Sequence, residues 1–245
     1  MSVHRAARGF DSAADVYDRV RPGYPPEAIQ WFGLRPGQTV VDLAAGTGKL
    51  TAPLLTTGAS VIAVEPSEGM LAVLRRRVPG AEAIRGTAEE IPLGDGIADA
   101  LLVAQGFHWF ANDVALGEIH RVLRPGGMLG LVWNRRELTD PAHAALKRAV
   151  DPWRGDAPRH WTGAWRAVIE RSPLFELRAE AELSNDHELP PGGLVDRAAS
   201  ISFIAALPEQ TRREALAELG LFEERAPKPI VLPHVCELFA FRAVS

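Results

Sequence analysis

The chain has 245 residues, of which 47% are apolar and 24% charged, the balance of a soluble globular protein long enough to bury a sizeable core. A net charge of −4 gives no electrostatic reason to expect nucleic acid or an anionic membrane as partner, the single cysteine, Cys236, excludes a disulfide framework, and seven histidines without ligand spacing offer no zinc cluster. No apolar stretch approaches the ~20 residues of a membrane span, and "MSVHRAARGF" has no apolar signal core, so a cytoplasmic protein in a reducing compartment is expected.

Residues 11–20 set Ala13, Val16, Tyr17 and Val20 at helical spacing and stop at "RPGYPP", where proline removes donors and fixes φ. A short second helix starts at Pro25 or Pro26, carries Ile29, Trp31 and Phe32, and ends at "LRPGQ". Five short apolar runs rich in β-formers follow, at 39–44, 59–65, 81–86, 98–105 and 127–133. Helical stretches at 49–57, 67–78 and 112–123 lie between most of them, with Ser67 and Asn112 as N-caps. Alternation of this kind, with nearly continuous apolar strands, predicts a parallel sheet covered on both faces, whose ligands bind beyond the carboxyl ends of the strands.

After Trp133 the rhythm changes. Residues 139–171 read as helices, with Pro141 at a first helical position after Asp140 and Thr162 capping "GAWRAVIER". Two further strands are expected at 174–183 and 230–243, and a helix at 208–219 closed by Gly220. The insertion between the fifth and sixth strands is the expected seat of substrate specificity. There is no internal repeat and no long linker, so residues 1–245 read as one domain.

The stretch "VVDLAAGTGKLT" is a strand, Asp42, a small-residue turn with Gly46 and Gly48, and a helix. It suits close approach of a ligand to the backbone, and equally any tight strand-to-helix turn. Glu65 ends the next strand, 17 positions past Gly48, where a carboxylate can accept from both hydroxyls of a ribose or simply be solvated. The full dinucleotide pattern fails, because its third glycine is Thr51, so the loop suits a nucleoside better than a pyrophosphate.

In order and spacing, "VVDLAAGTGKLT", "VIAVEPSEGML", "GTAEEIPL", "ADALLVAQGFHWF" and "EIHRVLRPGGMLGLVW" resemble the motifs of class I S-adenosylmethionine-dependent methyltransferases over residues 38–133. The segments "FDSAADVYDRVRPGYPP", "FHWF", "WNRR" and "RAASISFIAALPEQTRREAL" are similar to the small-molecule branch that includes the trans-aconitate methyltransferase-like enzymes. The resemblance implies a Rossmann-like, mostly parallel seven-stranded sheet with helices on both faces, an N-terminal helical lid over 1–37 and a cofactor core over 38–133. It also implies a helical insertion over 134–172 and substrate-side strands and helices over 173–245.

By the same resemblance, Asp42 and the backbone of Ala44 and Gly46 hold the methionine part of S-adenosylmethionine, and Glu65 holds the ribose. Pro66 and Met70 edge the adenine pocket, Ala88 and Glu89 meet the polar edge of adenine, and the carbonyl of Gln105 meets the cofactor amino group. The family often has glycine where this chain has Ala44, whose methyl is expected to keep φ at ordinary values and crowd the loop slightly. Tyr17 and Arg21 belong to the segment that folds over the cofactor in relatives; Tyr17 alternatively packs with Val16 and Val20, and Arg21, before a proline, could meet a carboxylate.

Substrate contacts implied in this way are Tyr24, His108, Trp109, Arg135, Ser200 and Phe203, with Ser202 in the same returning segment. His108 is either a general base for a hydroxyl acceptor or a packing residue in an aromatic wall with Phe107, Trp109 and Phe110. Arg135 and Arg136 either clamp an anionic substrate or sit in a solvated loop. The expected activity is in-line methyl transfer from S-adenosylmethionine, leaving S-adenosylhomocysteine, to a small-molecule oxygen, carboxylate or hydroxyl, with no metal, by a monomer or homodimer. The alternatives are an NAD-dependent oxidoreductase on a similar sheet and a regulatory protein that binds S-adenosylmethionine without turnover.

Overall fold

A computed structural model describes residues 10–156, 158 and 160–244, without the side chains of 10–13. Of the stretch read for a signal core, 1–10, all but the backbone of Phe10 lies outside the described residues, as does the side chain of Ala13. The chain forms two compact units. A sheet unit takes 23–133, 158–183 and the residues from 236 on; a helical unit takes the described residues of 1–22, 134–157 and 184–235.

In the sheet unit, β1 (Thr39–Leu43), β2 (Ser60–Glu65), β3 (Glu82–Arg85), β4 (Ala98–Ala104), β5 (Leu123–Arg136), β6 (Phe175–Ser184) and the carboxyl-terminal strand His234–Ala243, here β9, form one seven-stranded sheet. Its order is β3-β2-β1-β4-β5-β9-β6, and β1 pairs in parallel with both β2 and β4, as do β2 with β3 and β4 with β5. The chain runs outward from β1 through β2 to β3 and then returns to β4 on the other side of β1, which makes the β1/β4 boundary the switch point of the sheet. In that register Asp42 lies opposite Leu102, so Ala44 and Gln105, just past the two strands, come out within a residue of each other.

Period-2 alternation divides the apolar side chains between the two faces. Val41, Leu43, Leu101 and Val103 join Leu116, Ile119 and Val122 of α5 (Asp113–Val122) and Trp165 and Ile169 of α7 (Ala164–Arg171). On the other face, Val40, Ala100 and Leu102 join Ala28 and Ile29 of α2 (Pro26–Trp31) and Leu54 of α3 (Thr51–Leu55). Each fully buried Leu, Ile or Val contributes roughly 1.5–3 kcal/mol. Ser67 caps α4 (Glu68–Arg77) by accepting from Met70 N–H at 3.1 Å, and Asn112 caps α5 by accepting from Ala115 N–H at 2.9 Å, as the sequence predicts.

The helical unit contains α1 (Phe10–Val20), α6 (Pro141–Val150), α8 (Gly193–Ala199), α9 (Ser202–Ala205) and α10 (Glu209–Arg225), with an antiparallel pair of β7 (His187–Glu188) and β8 (Val231–Leu232). Leu146, Val150, Leu194, Ala198, Ile204, Leu216 and Leu219 form its core.

Four expectations are corrected. Gly220 does not close a helix: α10 runs through it to Arg225, because Leu216, Leu219 and Glu223 are buried on one face and packing outweighs the roughly 1 kcal/mol that an interior glycine costs. The N-cap of α7 is Gly163, at φ +71°, and not Thr162. The helix expected at 49–57 shortens to Thr51–Leu55 because the glycine turn takes its start, and the strand expected at 230–243 divides at Pro233, which has no N–H to give to a ladder. Among the described residues, no helix is long and apolar enough to cross a membrane, and no three His, Cys, Asp or Glu side chains cluster as metal ligands.

Candidate functional site

Asp42 is fully buried near the end of β1. Its Oδ2 accepts from Thr51 Oγ1 at 2.6 Å, whereas Oδ1 has no partner among the described residues. Burial pushes its pKa up to about 7; the Thr51 bond opposes that shift and the Glu65 charge adds to it.

The loop that follows is built from left-handed backbone at Ala44 (φ +57°), Gly46 (φ +59°) and Gly48 (φ +86°). A Cβ on Gly48 would lie 2.9 Å from Val78 and 3.2 Å from Leu74, so both its dihedral and its surroundings require glycine. The expectation that the methyl of Ala44 holds φ to ordinary values is therefore wrong. The sheet register and the tie from Ala45 N–H to Val64 O at 3.2 Å hold Ala44 left-handed at a cost of roughly 1–2 kcal/mol. Gln105, past β4, is the other non-glycine residue with positive φ among the described residues, at +61°, and donates its N–H to Val132 O at 2.8 Å. The Ala44 methyl lies 3.2 Å from where a Cβ on Gly106 would stand, so the two strained strand ends abut.

Glu65 closes the loop from β2. Its Oε2 accepts from Gly46 N–H at 2.8 Å and its Oε1 from Ser67 N–H at 2.9 Å. Each carboxylate oxygen can accept a second bond. Pro66 is partly exposed, Met70 and Ala88 are buried, and Glu89 accepts from Asn112 Nδ2 at 3.3 Å. Asp42, Ala44, Gly46, Glu65 and Gln105 are thus brought to one edge of the sheet.

After Gln105 the chain makes a 3-10 turn, Phe107–Trp109, into an aromatic cluster. Phe107 is buried edge-on against Phe110 (5.7 Å) and Trp165 (6.3 Å). Trp133 stacks on His160 at 4.5 Å and donates Nε1–H to His108 Nδ1 at 3.3 Å, and Trp109 lies against His108 at 5.6 Å. An acceptor at Nδ1 assigns the proton of neutral His108 to Nε2. His160 Nε2 pairs with Glu237 Oε2 at 3.1 Å. The sequence gives no sign of the His160–Glu237 pair, whose members lie on elements far apart in the chain. Tyr24 packs beside the α2 and α3 apolar cluster.

In the helical unit, Arg21 donates Nε–H to Ser200 Oγ at 3.0 Å and an Nη2 hydrogen to Ser200 O at 3.2 Å, and its guanidinium sits 4.7 Å above the Tyr17 ring. Ser200 donates to Arg197 O at 2.8 Å. Ser202 is buried at the start of α9, and the Phe203 ring lies 5.1 Å from the Arg154 guanidinium. Arg135 pairs with Glu137 at 2.9 Å. Arg136 is partly buried, and its pKa is lowered to about 10 by burial and by the Arg21 and Arg154 charges. Sequence reasoning missed Arg197, which is 4% exposed and has Nε and Nη1 without partners among the described residues. Nothing in its pattern on α8 distinguishes it from a solvated arginine. Burial, with Arg21 and Arg136 close by, holds its pKa well below the usual arginine range.

Comparison with known proteins gives a consistent neighbourhood. Residues 41–131 match a family model described as a methyltransferase domain. The chain is 42% identical over 211 residues to an uncharacterised methyltransferase of Mycobacterium tuberculosis, covering 84% of this chain and 82% of that protein. It is 36% identical over 224 residues to an uncharacterised methyltransferase-like protein of Schizosaccharomyces pombe, covering 89% and 87%. A solved structure from Anaeromyxobacter dehalogenans, described as a candidate type II methyltransferase, shares the fold with a TM-score of 0.66 at 24% identity, over 91% of this chain and 97% of that one.

Proposed function

The chain belongs to the class I S-adenosylmethionine-dependent methyltransferases, and from that membership we propose that it methylates an oxygen of a small-molecule acceptor by in-line displacement. The observation that carries the placement of the cofactor is the buried Asp42 carboxyl, with Oδ1 unpartnered among the described residues, beside two abutting left-handed strand ends at the switch point. Strained backbone of this kind concentrates where a ligand is gripped. When bound, the cofactor supplies an electrophilic methyl group on a cationic sulfonium.

These residues fit it. In this reading Asp42 and the backbone of Ala44 and Gly46 hold the methionine part, and Glu65, whose bonds to Gly46 and Ser67 keep the loop closed, accepts from the ribose hydroxyls. Pro66 and Met70 edge the adenine, Ala88 and Glu89 meet its polar edge, and the Gln105 carbonyl, turned by its positive φ, receives the amino group. The alternative of an oxidoreductase finds no support among the relatives.

His108 acts in this proposal as a positioning residue. With Nδ1 occupied by Trp133, neutral His108 presents an N–H at Nε2 and not a lone pair, so it can orient an acceptor oxygen but does not take its proton. An ionised carboxylate acceptor is already a nucleophile and needs no base. Alignment of donor and acceptor then carries most of the rate, and oriented systems gain roughly 7–11 kcal/mol in this way. Calorimetric titration with S-adenosylhomocysteine and with NADH, followed by assay of S-adenosylhomocysteine release from S-adenosylmethionine in the presence of small organic acids and phenols, tests the reading. Saturable binding of the first ligand alone and acid-dependent release are expected. Binding without release on any acceptor would instead favour a regulatory binder.

A further inference from the structure

The period of two in β9 puts Glu237, Phe239, Phe241 and Ala243 on one face of the sheet, where the last three join the apolar core. Glu237 brings an acid into that apolar row, with its side chain only 13% exposed. Its Oε2 lies 3.1 Å from Nε2 of His160, itself 14% exposed, at the start of the short turn His160–Thr162. Both residues, together with His108, Trp133 and Trp165, belong to the sheet unit.

The His160 ring is fixed on its flat sides and along its backbone. Trp133 stacks on it at 4.5 Å, Trp165 lies nearly parallel at 5.9 Å, and its main-chain carbonyl accepts from Trp165 Nε1–H at 3.1 Å. A neutral imidazole that gives its Nε2–H to a carboxylate keeps its lone pair at Nδ1. That nitrogen has no partner among the described residues. A carboxylate behind an imidazole holds its tautomer and stabilises the cation formed when the ring takes a proton, and the face of an indole favours the same cation. The charged groups nearest this pair include Arg166, 5.5 Å above the Phe239 ring and paired with Glu170 at 2.7 Å and Glu180 at 3.2 Å.

The pair sits next to the strand ends read as the cofactor site. A Cβ on Gly106, the residue after Gln105, would stand 3.2 Å from the Ala44 methyl and 3.5 Å from the Phe110 ring, so the strand ends run directly into the aromatic cluster. The His108 ring, just past them, is 6.5 Å from that of His160. Trp109 and Phe110 are partly buried beside it and offer flat apolar surface to a ring.

From this arrangement we infer that His160, held by Glu237 as a positioning residue, is the general base for methyl transfer to the hydroxyl of a flat acceptor, a phenol or an enol. The hydroxyl proton passes to His160 Nδ1 while an oxygen pair forms the bond to the methyl carbon. The pair of the carbon–sulfur bond stays on sulfur, and the imidazolium and the Glu237 carboxylate end the step as an ion pair. His108, whose Nδ1 is taken by Trp133, orients the oxygen and leaves the proton to His160. A carboxylate acceptor bypasses the base. The catalytic role rests on the methyl-transfer reading; the capacity to take the proton of a bound phenol does not.

The test titrates para-nitrophenol, yellow only when ionised, and its methyl ether para-nitroanisole into the full chain with and without S-adenosylhomocysteine, in a buffer where most of the free phenol is un-ionised. Absorbance reads the proton and calorimetry the affinity, in wild type, His160→Gln and Glu237→Gln. Saturable phenol binding with the phenolate band is expected in wild type. His160→Gln should bind the phenol about 10-fold or more weakly and without the band, while its affinity for the ether stays within about 2-fold. Glu237→Gln keeps an acceptor for the His160 Nε2–H but loses the charge, so the band should shrink. No saturable phenol binding overturns the assignment, as does binding of the un-ionised phenol, or an equal band in His160→Gln. Should His160→Gln fail to fold, Glu237→Gln carries the test, and an undiminished band there overturns the pair. A phenolate band without any binding of S-adenosylhomocysteine keeps the base and removes the methyl-transfer reading; S-adenosylhomocysteine binding without the band removes the base alone.

Discussion

Ala44 and Gln105 hold φ values of +57° and +61° where most non-glycine residues would refuse them. Ala44→Gly relieves roughly 1–2 kcal/mol of strain and returns roughly 0.4–1 kcal/mol of freedom to the unfolded chain. Chemical denaturation should therefore show a gain of up to about 1.6 kcal/mol, and a loss of about 1 kcal/mol would mean the methyl packs to advantage. Asp42 has a folded pKa of about 7 against an ordinary 3.8. Between those values the folded chain keeps a proton that the unfolded chain has released, so this group lowers stability as pH rises through that window, on the order of a few kcal/mol in all. Asp42→Asn should remove this contribution, so the variant gains more in melting temperature between pH 5 and 7.5 than the wild type does. Glu65→Ala should weaken S-adenosylhomocysteine binding by roughly 1–3 kcal/mol and also lower the melting temperature, since Gly46 and Ser67 lose their acceptor. Unchanged affinity would take Glu65 out of the cofactor site.

At the scale of elements, the turn Phe107–Trp109 and its neighbours decide what His108 does. His108→Ala should slow turnover by less than about 10-fold, where removal of a general base costs about 100-fold or more. Nitrogen NMR should find the His108 proton on Nε2, and Trp133→Phe should release that tautomer preference while costing core packing around His160 and Trp165. The strands of the sheet were legible because apolar runs of β-formers alternate with helices whose caps, Ser67 and Asn112, are local signals. Gly220 and Thr162 misled for a shared reason: the burial of one face of α10 and the left-handed Gly163 before α7 are decided by tertiary packing, which a local signal does not carry.

For the whole molecule, acid is the destabilising direction. His143 and His234 have folded pKa values of about 4 and about 3 against 6.5, so the unfolded chain takes up their protons first as pH falls below 6.5, and stability is lost down to those values. Their combined depression exceeds the elevation at Asp42, so the melting temperature should be lower at pH 4.5 than at pH 7, and Asp42→Asn should steepen the fall. The glycine loop and Glu65 could be read from the sequence because a tight strand-to-helix turn and the acid that closes it leave a local mark in small residues and a strand-end carboxylate. Arg197, His160 and Glu237 could not, because their significance lies in partners, or missing partners, brought from elsewhere in the chain. Methyl transfer to an oxygen of a small molecule is tested most directly by incubating the chain with methyl-labelled S-adenosylmethionine and a metabolite extract, followed by mass spectrometry. Label on an oxygen of a small molecule is the predicted result; an extract without a labelled small molecule, beside a chain that binds the cofactor, would contradict it.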